Sequence, residues 1–150
     1  MNSKNLFATI ISMKNKDCVF CNFSDKGVLI YENKVCFAVI SKSPINKYHV
    51  MVIPRNHYES FVDLPNPTIK NIFITAKKLS SALRKACKPL AVTHISDDDI
   101  KKTGYNLVSH YKLHIIPRFK NDKVEINWNR DPDPGSATRA KYAKAIKKHL

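Results

Sequence analysis

Apolar residues fall in short runs across residues 28–54, and turn-forming residues separate the runs. Val28–Tyr31 and Val35–Ser41 read as strands, with Glu32, Asn33 and Lys34 as the turn between them. Ser43-Pro44-Ile45-Asn46 breaks the pattern, and Tyr48–Pro54 follows as a third strand. Side chains alternate along an extended chain, so Val50, Val52 and Pro54 share one face there, and His49, Met51 and Ile53 share the other. The period then changes. Ile69, Ile72, Phe73, Ala76, Leu79 and Leu83 recur at helical spacing, which predicts a helix over Thr68–Ala86. Pro67 suits its first turn and Pro89 stops it. Leu90–Ile95 reads as a fourth strand. A polar loop and Gly104 lead to a fifth, roughly Asn106–Ile116. The Asp131–Gly135 breaker precedes a last helix, capped by Ser136, with Ala140, Ala143 and Ile146 inward. The order predicts an α+β fold: an antiparallel sheet, a long helix and a C-terminal helix. Residues 1–16 read as a lead, 17–130 as the domain and 131–150 as a basic helix or tail.

The fifth strand carries unusual chemistry. His110, Lys112 and His114 share one face, and Tyr111, Leu113 and Ile115 take the other. A polar row of this kind fits a wet sheet face or a site. Cys18 and Cys21 have the spacing of a metal-ligand pair, with a redox pair or two buried thiols as the alternatives. Cys36 and Cys87 read as small buried groups, His94 as an ordinary strand residue and His149 as a surface residue. Lys and Arg number 26 against 12 Asp and Glu, a formal charge of +14. That balance fits an anionic partner or a solvated basic surface. No apolar stretch approaches the roughly 20 residues of a membrane helix. Leu6–Met13 is apolar but lacks a small-x-small cleavage pattern, so a cytoplasmic protein is expected.

The triad strand resembles the signature of the histidine triad (HIT) nucleotide hydrolases and transferases, followed here by Ile116-Pro117-Arg118. Val50–Tyr58 is similar to that family's strand ending in Ile-Pro-basic-x-His, with His49 at its start. Asp17-Cys18-Val19-Phe20-Cys21 resembles the opening of bacterial members, and Ile126-Asn127-Trp128 their late aromatic segment. The resemblance implies a HIT-like fold and a purine nucleotide or nucleotide conjugate as ligand. It places a phosphate site at His49, His114 and Lys112, with Ser109 as a further donor. Val39 and Ile40 would lie near the nucleoside. It also implies a structural zinc held by Cys18, Cys21, His57 and His110. Along an extended strand His110 and His114 lie about 13 Å apart, which leaves His114 for phosphate. A homodimer through the long helix and neighbouring strand is the family's usual assembly.

Two positions depart from the pattern. Ser41 stands where many members carry an aspartate for the ribose hydroxyls, and Lys112 stands at the nucleophilic middle histidine. In the family that histidine attacks the α-phosphorus, and water breaks the resulting nucleotidyl-imidazole. A lysine near its usual pKa of about 10.4 is protonated and cannot attack. Bringing it to about 7 takes near 5 kcal/mol. Its phosphoramidate would also part slowly from a poor leaving amine. The expectation is therefore a nucleotide-binding protein with impaired hydrolysis. The alternatives are an active nucleoside phosphoramidase or dinucleoside polyphosphate hydrolase, and a nucleic-acid-binding module. The last would grip phosphates through Arg139, Lys141, Lys144, Lys147 and Lys148.

Overall fold

The structure is a computed structural model, described for residues 14–99, 102–104, 106–124 and 132–150. A short 3-10 turn, Lys26–Val28, leads into strands β1 (Leu29–Glu32), β2 (Cys36–Ile40) and β3 (Val50–Pro54). Helix α1 (Asn66–Cys87), strands β4 (Ala91–Ile95) and β5 (Leu113–Arg118), and helix α2 (Ser136–Lys147) complete the order. The five strands form one sheet in the order β1-β2-β3-β5-β4, and every pairing is antiparallel. The α+β expectation is met.

Both faces of the central strands are covered, which is why β2 and β3 are apolar throughout rather than alternating. On one face Cys36, Ala38, Val50, Val52, Leu113 and Ile115 pack against Ile72, Ala76, Leu79 and Leu83 of α1. On the other, Phe37, Val39, Met51 and Ile53 are covered by Phe20, Phe23, Val28 and Leu29. The segment after the Cys-x-x-Cys pair is therefore a lid on the sheet. α1 opens at Asn66-Pro67, where proline's missing N–H costs nothing, and closes through Lys88 in the left-handed conformation at φ +44°. Arg84 and Lys85 in its last turn oppose the negative end of the helix dipole.

Four expectations need correction. The triad strand begins at Leu113, not Asn106, so of the three triad positions only His114 lies in a strand. Upstream the backbone is curled: the His110 amide donates to the Val108 carbonyl at 2.7 Å, and the Lys112 ammonium takes the carbonyls of Val108 and His110. Those groups are spent locally and cannot extend a ladder. Phe73 is exposed, although it keeps the helical period. Gly135 occupies the cap position of α2, and Ser136 makes no capping bond. Ala140, Ala143 and Ile146 are exposed rather than inward, because nothing among the described residues packs on α2. Ile126, Asn127 and Trp128 lie outside the described residues, as do residues 1–13 of the N-terminal lead. No helix among the described residues is long and apolar enough to cross a membrane.

Candidate functional site

Three chain segments meet at the first cluster. The Cys18–Cys21 turn supplies two sulfurs, the chain leaving β3 supplies His57, and the curl before β5 supplies His110. Cys18 Sγ lies 3.3 Å from His110 Nδ1, and Cys21 Sγ lies 3.4 Å from His57 Nδ1. The four candidate ligand atoms all fall within 4.8 Å of one another. His110 Nε2 sits 3.0 Å from the Pro54 carbonyl, which can only accept. The ring proton is therefore on Nε2, and the Nδ1 lone pair faces the sulfurs. Burial pushes the His110 pKa down to about 4 against the opposing pull of the Pro54 carbonyl, so the ring is neutral at pH 7. Burial raises the Cys21 thiol, with the Asn15 amide working against it. A bound cation would reverse that preference. Two buried thiols and two imidazole nitrogens gathered within 4.8 Å of one another fit a tetrahedral metal better than they fit solvent. His57 Nε2 is buried without a hydrogen-bond partner among the described residues, and Glu59 Oε1 stands 3.6 Å from it.

The second cluster lines a cavity of about 780 Å³. The Ile45 amide donates to His49 Nδ1 at 3.1 Å, so His49 carries its proton on Nε2. That proton points at His114 Nδ1, 2.8 Å away, which leaves His114 protonated on its own Nε2. Burial first, and then the other's charge for His49 or that of Lys112 for His114, holds each pKa near 4. The relay thus ends in a neutral donor on a residue that lines the cavity. Asn46 holds the loop before His49 against β5 by donating to the Pro117 carbonyl and to Asp122.

Lys112 lines the same cavity. Its ammonium donates to Asn106 Oδ1, to the Val108 carbonyl at 3.0 Å and to the His110 carbonyl at 3.2 Å. Burial lowers its pKa to about 8, with Cys18 and Asp97 pulling the other way. The amine is still mostly charged at pH 7. Val39, Ile40, Met51 and a buried Ser41 form further wall. Ser109 does not join this group. It is exposed and lines a separate depression with Glu59, Asp98 and Lys102.

Three residues of the site escape a reading by sequence. Asn106 anchors Lys112, Glu59 faces His57, and Phe20 stands between the two clusters. Only Phe20 carried a signal, its place inside the Cys-x-x-Cys turn.

Comparison with known proteins identifies the family and the fold. The HIT domain family model matches residues 23–121. An uncharacterized HIT-like protein of Saccharolobus solfataricus is 32% identical over 119 residues, covering 77% of this chain and 78% of that protein. A HIT family protein from Bacillus subtilis superposes with a TM-score of 0.81 at 25% identity, over 90% of this chain and 98% of its own. A zinc-bound histidine triad family protein from Mycobacterium smegmatis superposes with a TM-score of 0.65 at 26% identity, over 86% and 97% of the two chains. By sequence and fold, the chain belongs to the HIT domain family.

Proposed function

We propose that this protein binds a purine nucleotide or nucleotide conjugate and carries out little of the hydrolysis associated with its family. The phosphate sits against His49, His114 and Lys112, and the nucleoside against Val39, Ile40 and Ser41. Ser41 offers a hydroxyl in place of a carboxylate, which weakens the hold on ribose. The observation that carries the reading is the engagement of Lys112. An ammonium has three protons, and here Asn106, Val108 and His110 accept all of them. Such a group attracts phosphate as a charge but offers no lone pair to phosphorus.

Cys18, Cys21, His57 and His110 would hold zinc, in keeping with the zinc-bound relative. When bound, the ion is a cross-link between three chain segments and supplies no chemistry to the nucleotide. A second copy of the chain would cover the surface where α1 meets β4. Phe73 and Ile74 of α1, Ile95 of β4 and Leu90 just before β4 are exposed, β4 is an edge of the sheet among the described residues, and Ser80 of α1 lies 2.9 Å from His94 of β4.

The test is AMP release from adenosine phosphoramidate by the protein and by its Lys112→His variant, with AMP binding measured by calorimetry. The expected result is binding by both and turnover by the variant alone. Turnover by the native protein at the variant's rate overturns the impaired reading. Binding by neither removes the nucleotide.

A further inference from the structure

The two clusters share a wall. The sulfurs of Cys18 and Cys21 point at His110 and His57, while the two residues between them, Val19 and Phe20, line the 780 Å³ cavity. The Phe20 ring meets the His110 ring edge-on at 5.7 Å between centroids. The Lys112 ammonium lies 5.6 Å from the centre of that same ring. Lys112 in turn donates to the His110 carbonyl. One aromatic side chain therefore neighbours both a candidate metal ligand and the cation of the anion pocket.

We propose that Phe20 couples the two sites, so that an anionic ligand in the cavity slows loss of metal from the Cys/His cluster. The proposal rests on the nucleotide and zinc reading above. Metal escape requires the Cys18–Cys21 turn to swing away from His57 and His110. That swing carries Val19 and Phe20 with it, out of the cavity wall. A ligand seated against them blocks the movement, and its negative charge holds Lys112 over the ring. Where the slower loss means tighter metal binding at equilibrium, linkage makes that gain reciprocal: metal in the cluster strengthens ligand binding by the same factor. Phe20 is a positioning residue in this scheme and takes no part in bond-making.

The experiment measures zinc transfer from the full-length zinc-loaded protein to a chromogenic chelator, with and without AMP. It is run on the native chain, Phe20→Ala and Phe20→Leu, each saturated according to its own AMP titration. AMP is expected to slow transfer from the native protein about fivefold or more, the lower end of usual coupling between sites. In the variants the slowing is expected to fall below about twofold. Phe20→Leu keeps an apolar side chain without the ring, so it separates loss of coupling from loss of packing. Equal slowing in native protein and both variants overturns the role of Phe20. No slowing in a native protein that holds both zinc and AMP overturns the coupling while leaving both sites standing. A native protein that holds no zinc, or binds no AMP, brings down the earlier reading and this one with it.

Discussion

One side chain decides the chemistry of the cavity. A histidine at position 112 would end in a ring nitrogen with a usable lone pair, whereas Lys112 reaches back to Asn106, Val108 and His110 and ties the preceding curl together. Glu59 is the counterpart residue at the metal cluster. Its carboxylate stands 3.6 Å from the buried His57 Nε2, which has no other partner among the described residues, and Lys102 holds its other oxygen at 3.2 Å. A carboxylate behind a ligating imidazole fixes the ring's tautomer and raises its basicity. Glu59→Ala should therefore weaken zinc binding about tenfold or more, read by competition with a chelator of known affinity. An unchanged affinity would mean that His57 needs no orienting partner.

At the scale of elements, α1 and β4 present the exposed apolar surface. Phe73 lies two helical turns before Ser80, on the side of α1 that reaches β4. Phe73→Glu should convert a dimer to a monomer in light scattering. Because Phe73 is 49% exposed within one chain, thermal stability at matched oligomeric state should change little. A dimer that survives the change places the interface elsewhere. Most elements were legible in the sequence because β1 to β4 are short runs bounded by turn-forming or helix-stopping residues, and helix α1 keeps a helical period. The extended triad strand was not. Its shortening depends on a lysine bonding to carbonyls two and four residues behind it, and side-chain periodicity carries no such information. The inward face of α2 failed for the opposite reason: the apolar spacing is present, but nothing described packs against it. His49, His114 and the Cys/His set were legible as residue types in a known order. Their tautomers were not, because these depend on the Ile45 amide and the Pro54 carbonyl, which only the fold brings near.

For the whole molecule, buried neutral histidines tie stability to pH. His49 and His114 have ordinary values of 6.5 and are held near 4 in the fold, chiefly by burial. Between those values the unfolded chain takes up protons that the folded chain refuses. The stabilisation is complete above pH 6.5, drains away as pH falls toward 4, and changes no further below that. Urea unfolding of the zinc-loaded protein should show lower stability at about pH 5 than at about pH 7. His114→Gln should reduce that difference, and an equal pH response in the variant would acquit the pair. The sheet order has a consequence for how the molecule assembles. β3 and β5 lie side by side at the centre, yet His49 and His114 are 65 residues apart, and Cys18 and His110 are 92 apart. Gathering such distant segments costs chain entropy before any contact repays it, so central pairings of this kind are slow to form. Cavity and Cys/His cluster both depend on that one seam, so a refolding chain should acquire them in the same late event. On the zinc reading, the Cys18–Cys21 pair would until then be the half-site on which an incoming metal ion can wait.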